Sequence, residues 1–292
     1  MSETPDRDEA EIEASRAPLL DHLLELRTRL IWCLVAFAAA FVVCFIFSGD
    51  IYLFLVHPFQ IAGGLIEAQK ASGGDHGPFD LFLALIGLKE VQIGQGEDLE
   101  LIFTGPLEFF WAKMKLAGFG AIVLSFPILA WQLYRFVAPG LYRRERNAFL
   151  PFLFASPVLF LAGAALVYYV MLPFVMWFSL SQQVVAPGIS VSLLPKISEY
   201  LSLVTTLLLA FGLCFQLPVV MSLLGMSGII SSRQMAAGRR YAIVGVVILA
   251  AIVTPPDPIS QLMLAIPLVG LYELSIWCVR LIEMRRPRED AA

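Results

Sequence analysis

The sequence predicts an all-α integral membrane protein with six transmembrane helices and both termini cytoplasmic. Three observations lead there. Apolar residues make up 59% of the 292 and charged residues only 15%, whereas a soluble domain carries roughly a quarter charged. The apolar residues gather into runs long enough to cross roughly 30 Å of hydrocarbon at about 1.5 Å per residue. The arginines are sorted between the runs: Arg7, Arg16, Arg27 and Arg29 precede the first, and Arg135, Arg143, Arg144 and Arg146 follow the second. Arg233, Arg239 and Arg240 follow the fourth, and Arg280, Arg285, Arg286 and Arg288 close the chain. The connections between these clusters lack arginine, so by the positive-inside rule the clusters mark the cytoplasmic face. The net charge of -4 hides this sorting, because acids crowd into the first residues: Glu3, Asp6, Asp8, Glu9, Glu11 and Glu13.

Taken in order, residues 1–17 are polar and acidic and read as a disordered cytoplasmic tail. This acidic opening, with no small-residue cleavage site after the first span, predicts a retained anchor and not a cleaved signal peptide. From Pro18 an amphipathic helix follows, with Leu19, Leu23, Leu26 and Leu30 on one face and His22, Glu25 and Arg29 on another. It should lie along the inner interface. The membrane domain covers 18–280, with spans at about 30–47, 116–137, 148–179, 200–225, 241–253 and 259–279. A basic cytoplasmic tail, 281–292, ends the chain.

The first outer connection, from Ser48 to about Thr104, reads as a long loop punctuated by Gly63, Gly64, Gly73, Gly74, Gly94 and Gly96. Its apolar stretch Phe79 to Leu88 is half the length of a span. Gly105 and Pro106 start the next helix, and Glu108 falls in its positive first turn. Pro151, Pro157 and Pro173 in the third span and Pro218 in the fourth predict kinks, and hence a concave, cup-like bundle. The fifth span offers only the run from Tyr241 to Val253 before Thr254, Pro255, Pro256, Asp257 and Pro258 stop it. Such a short hairpin thins the bilayer, is covered by protein or recruits a partner helix, unless extra turns reach into the loops.

No cofactor, metal or covalent chemistry is legible. Cys33, Cys44, Cys214 and Cys278 are scattered through apolar runs and read as packing residues. His22, His57 and His76 share no zinc-ligand spacing, and phosphate loops and nucleophile elbows are missing.

The ordered features resemble the TatC family, the multispan core subunits of the twin-arginine protein translocase. The resemblance rests on His22, Leu23, Leu24, Glu25, Leu26 and Arg27 before the first span, Pro58 in the outer loop, and Phe103 to Glu108 entering the second. It continues with Phe136, Pro139, Leu141, Tyr142, Glu145 and Arg146, then Tyr200, Ala210, Phe211, Gly212 and Pro218. Thr254, Pro255, Pro256, Asp257, Ser260 and Gln261 complete it. It implies a receptor in the bacterial inner membrane that binds the paired-arginine signal peptides of folded cargo. It also implies TatA- and TatB-type single-span partner subunits, self-association within the translocase, and export driven by the proton-motive force. Two departures stand out: the first outer loop has extra glycine-rich sequence around residues 61–98, and Gln216 occupies a position where well-known members have a glutamate.

Two adjacent guanidinium groups are best met by carboxylates in a partly desolvated setting, because charge-assisted, bidentate arginine pairs are strong and selective. Glu25 and Glu145 fit, and the resemblance makes them, with Arg27, Phe136 and Tyr142, the signal-peptide patch. On their own residues, Glu25 is equally an i,i+4 partner of Arg29, and Glu145 a counter-charge to Arg143, Arg144 and Arg146. Phe136 is equally an interfacial aromatic. Gln216 must find a partner inside the membrane: an interhelical contact within the chain, or a docking partner's helix. Thr254 and Gln261 could form a second polar docking patch, and Asp257 reads as the cap of the return helix. Pro255 and Pro256 shape the outer hairpin, and Pro58 the outer loop. A proton-coupled solute transporter is the alternative class, but it expects an ionisable group at mid-span and an internal repeat, and the sequence shows neither.

Overall fold

The computed structural model describes residues 5–72, 101–137, 143–186, 189–191, 195–253 and 258–285, and these are helical almost throughout. Helix α1, Pro5–Ile46, already includes most of the acidic segment expected to be disordered. Ala10, Glu11, Glu13, Ala14 and Arg16 are all strong helix formers. Helix α2, Ser48–Ser72, corrects the reading of the first outer connection as a loop. Gly63 and Gly64 each cost about 1 kcal/mol in a helix, but the packing of an apolar face outweighs that penalty. Leu55, Val56, Phe59 and Ala62 of α2 are all buried. The Phe79–Leu88 stretch lies outside the described residues.

Helix α3, Glu108–Val137, forms the second span. The third runs through α4, Arg143–Leu166, a π-helical turn, Val167–Met171, and α5, Leu172–Ser181. Pro151 and Pro157 sit inside α4 without ending it. Pro173 has no N–H for the carbonyl four residues back, and the helix widens into its π turn immediately before that proline. Strands β1, Val184–Ala186, and β2, Ile189–Val191, then pair antiparallel, with Val185 opposite Ser190. This small hairpin was missed in the sequence, although Pro187-Gly188 between two short apolar stretches is a turn signal.

The fourth span is broken: α6, Ile197–Cys214, ends at Phe215, and α7, Leu217–Met226, begins after Gln216, with Pro218 in its first turn. Gly228 then turns the chain in the left-handed region at φ 74°. The short α8, Ser232–Ala237, has a full capping box between Ser231 and Gln234. Helices α9, Arg239–Val253, and α10, Pro258–Arg285, form the last pair.

Among the described residues, five helical stretches are long and apolar enough to cross a membrane: 24–46, 108–136, 151–180, 197–226 and 261–284. With 15 residues, α9 falls short, at roughly 22 Å of helix. The core gathers α2, α3, α5, α6 and α10 around Phe59, Leu116, Met171, Leu207, Phe211 and Leu264, all essentially inaccessible. Helix α1 packs mainly along α3 and leaves Leu30, Leu34, Val42 and Ile46 exposed, as a lipid-facing helix does.

At one end of the bundle the chain is tied across spans. Ile102 N–H donates to the Pro195 carbonyl at 3.3 Å, and Ile197 N–H to the Ile102 carbonyl at 3.0 Å. Beside this bridge, Glu108 accepts Thr104 N–H at 2.7 Å and Gly105 N–H at 3.2 Å, and it also accepts the Ser198 hydroxyl. Beyond favouring a helix start by its charge, the Glu108 carboxylate joins the starts of the second and fourth spans.

Candidate functional site

The candidates Glu25 and Phe136 are placed by the pairing of α1 with α3. Tyr52, just beyond α1, meets Phe109 at the start of α3 with ring centroids 5.9 Å apart, and Cys44 lies against Gly120. The two helices therefore run antiparallel. Going back from Cys44 to Glu25 covers about 28 Å, and going on from Gly120 to Phe136 about 24 Å, so both residues come to the same end of the pair. Glu145 lies in the first turn of α4, a favourable position for a carboxylate. Its side chain and Tyr142 lie outside what the structure describes.

Glu25 is half-buried, and both Nε (3.1 Å) and Nη2 of Arg29 donate to its Oε1. This is the i,i+4 pair open from the sequence, and its local form sets what Glu25 can do. An incoming guanidinium must share the carboxylate with Arg29. Arg27 is exposed on the same helix, and Phe136 is half-buried at the end of α3.

Gln216 stands at the break between α6 and α7 and is partnered within the chain. Its Nε2 donates to the Ser156 carbonyl at 3.0 Å and, at 3.5 Å, to that of Gly212; the Ser156 hydroxyl donates back to Oε1 at 2.6 Å. Ser156 was not singled out in the sequence; a lone serine in a proline-bent apolar span opposite a glutamine span was the available signal. The spans approach closely just above it. A Cβ on Gly212 would come within 2.5 Å of the Phe160 ring, so only glycine fits there.

Gln261 donates from Nε2 to the Val247 carbonyl at 3.3 Å, tying α10 to α9. Thr254, Pro255, Pro256 and Asp257 lie outside the described residues, Asp257 immediately before Pro258, where α10 starts. Farther along the pair, Arg239 Nε lies 2.7 Å from Glu273. Pro58 is buried inside α2, and around it Tyr168 OH donates to the Phe54 carbonyl at 2.8 Å and Tyr200 OH to that of Leu55 at 2.6 Å. Among the described residues no group of three metal-ligating side chains occurs.

Comparison with known proteins bears directly on this arrangement. The model of a family described as Sec-independent protein translocase protein (TatC) matches residues 21–267. A Sec-independent protein translocase protein TatC of Magnetococcus marinus is 38% identical over 95% of this chain and 89% of its own length. One of Rickettsia prowazekii is 36% identical over 91% and 94%. A crystal structure of the twin arginine translocase receptor TatC superposes with a TM-score of 0.67 at 29% identity, covering 90% of this chain and 99% of its own. With a family match spanning the first helix to the last, and relatives similar over nearly their whole length, the chain belongs to the TatC family of Sec-independent protein translocase proteins.

Proposed function

We propose that this chain is the receptor subunit of a twin-arginine translocase, holding the arginine pair of a cargo signal peptide at Glu25 and Glu145. The observation that carries the reading is the family match over residues 21–267, which takes in both carboxylates, Gln216 and Gln261. In this reading Arg27, Phe136 and Tyr142 complete the patch, Thr254 and Gln261 serve the docking of small single-span TatA- and TatB-type subunits, Gln216 is engaged within the chain by Ser156, and several copies associate. The chain spans the bacterial inner membrane six times with both termini cytoplasmic, and its kinked spans enclose a concave face. Export of folded cargo is driven by the proton-motive force and needs no bond-making step.

The electrostatics support the choice of carboxylates. A signal peptide approaches a face crowded with Arg143, Arg144 and Arg146, which repel its own arginines. Binding therefore needs acids inside the basic field: Glu145 stands between Arg144 and Arg146 in the chain, and Glu25 lies at the same end of the α1–α3 pair as Phe136, shortly before α4 begins. The Arg29 pair lowers the gain at Glu25, since one guanidinium partly replaces another. A solute-transport reading has no counterpart in the family match.

The test combines export with binding. Removal of the protein from cells should abolish export of a reporter carrying a twin-arginine signal and spare one using the general secretory route. Glu25→Ala or Glu145→Ala should weaken binding of an arginine-pair peptide by about ten- to hundredfold, the loss of a charge-assisted contact worth about 1.5–3 kcal/mol. Glu145→Arg should be worse, because it adds repulsion. Unchanged binding by both alanine variants would defeat the site assignment.

A further inference from the structure

The break in the fourth span is closed by one polar contact, and we infer that Ser156 and Gln216 form a clasp that positions α7 against α4. Ser156 thereby acts as a positioning residue for the signal-peptide patch. The inference rests on the receptor reading above.

Two helix ends meet at Phe215 and Gln216, where Gln216 N–H donates to the Leu213 carbonyl at 2.9 Å and Val220 N–H to that of Gln216 at 2.9 Å. Pro218 contributes no N–H there, so the regular ladder is interrupted and the angle between α6 and α7 is not fixed by the backbone alone. On the α6 side of the break, α4 and α6 are locked: Gly212 admits the Phe160 ring, and Gly163 lies against the Phe211 carbonyl and the Phe215 ring. On the α7 side the contact with α4 is sparse, resting on a small cluster of Tyr134, Leu153, Ala130 and Leu223. The clasp sits at the boundary. It uses the carboxamide as donor and acceptor together, with Ser156 returning both a carbonyl and a hydroxyl.

What α7 carries makes the angle matter. Helix α10 packs along α7, with Val279 against Gly225, and α8 is fastened to α10 through Glu283, which accepts Ser232 N–H at 2.8 Å. Fixing α7 therefore fixes α8 and α10 as well. From Ser156, α4 runs back about 16 Å to Glu145, while α7 runs toward the same end. The separation of these two half-spans sets how the Glu145 end of α4 stands against its neighbours.

A carboxamide keeps this pattern at every pH. A glutamate in its place would donate to the Ser156 carbonyl only when protonated. The titration would belong to that side chain, because α4 has no ionisable group between Arg146 and Val167 and the span from Leu201 to Met226 has only Cys214. On packed neighbours, α3 carries Tyr134 and Arg135 toward its end, and α10 carries Tyr272, Glu273, Arg280 and Glu283.

The experiment measures spin-label distances in the full chain, with the natural cysteines replaced. One label pair, at Phe154 and Val220, lies on the α7 side of the clasp; a second, at Leu161 and Leu213, lies on the locked side. All four residues are exposed. Ser156→Ala should broaden the first distance distribution and leave the second unchanged, while Ser156→Thr, which keeps the hydroxyl, should preserve both. Gln216→Glu should be broad at about pH 9 and narrow at about pH 5.5 in the same sample, since only the protonated carboxyl can donate to the Ser156 carbonyl. Affinity for an arginine-pair peptide should fall about three- to tenfold in the broad state and recover in the narrow one. Distributions that do not respond to Ser156→Ala, or to pH in Gln216→Glu, overturn the clasp. Distances that move while peptide affinity does not would keep the clasp and overturn Ser156 as a positioning residue for the patch, whose own test is the loss of peptide binding in Glu145→Ala.

Discussion

Pro58 has no N–H to give the Phe54 carbonyl four residues earlier, and the structure supplies a donor from another span. Tyr168 OH reaches that carbonyl at 2.8 Å, and its ring stacks on Phe54 with centroids 4.4 Å apart. The π turn that carries Tyr168 is thus matched to the defect that Pro58 makes in α2. Removing the hydroxyl leaves a carbonyl without its donor, at a cost of about 1–2 kcal/mol, more than the roughly 0.6 kcal/mol of an average interhelical bond in a membrane. Tyr168→Phe should lower the unfolding free energy of the detergent-solubilised protein by that amount, and Tyr169→Phe, whose residue is exposed, by less than about 0.5 kcal/mol. The cause is tested by coupling: in a Pro58→Ala background, where an N–H is restored, Tyr168→Phe should cost measurably less. Equal costs in the two backgrounds would separate the tyrosine from the proline.

Among the elements, the last helix pair carries the clearest mismatch. At about 22 Å, α9 cannot fill a core of about 30 Å, while the 28 residues of α10 exceed it. Tyr241, Val244, Ile248 and Ile252 of α9 are exposed, so the helix presents apolar surface that the other described residues do not cover. A single-span partner lying here would bury that surface and meet Gln261, whose contact to Val247 is long at 3.3 Å. Photo-crosslinkers at Val246 or Gln261 should capture a small partner subunit, and Thr254→Val with Gln261→Leu should reduce capture and export while leaving peptide binding intact. Capture of lipid alone in exporting cells would move the docking site to the fourth span. The short α9 was legible in the sequence because length and the proline stop are local properties. So were interruptions of the regular helix at Pro173 and Pro218, which the structure shows as a π-helical turn and a break. Helix α2 was not, since its glycines signal a loop and only burial of Leu55, Val56 and Phe59 against other spans outweighs them. The Ser156–Gln216 clasp was half legible: a glutamine in a span demands a partner, but its identity depends on how two helices 60 residues apart cross.

At the scale of the whole molecule, contacts between distant segments order the chain ends of the spans independently of any hydropathy argument. The Ile102 bridge to Pro195 and Ile197 puts the starts of the second and fourth spans on one face. The Ser232–Glu283 contact puts the segment after the fourth span with the end of α10. Gln261 against Val247 and Arg239 against Glu273 make α9 and α10 antiparallel, so the chain returns to the face it left even though α9 is short. The arginine clusters around Arg233, Arg239 and Arg285 then fall on one side, the arrangement the positive-inside rule requires of cytoplasmic segments. Single cysteines in a cysteine-free background should therefore label from outside at Ser72 and Pro187, and from inside at Ser231 and in the C-terminal tail. Labelling of Ser231 and the tail from opposite sides would contradict the Ser232–Glu283 contact. Labelling of both from outside would keep the fold and invert its orientation, removing the Glu25 and Glu145 patch from the side on which cargo is made.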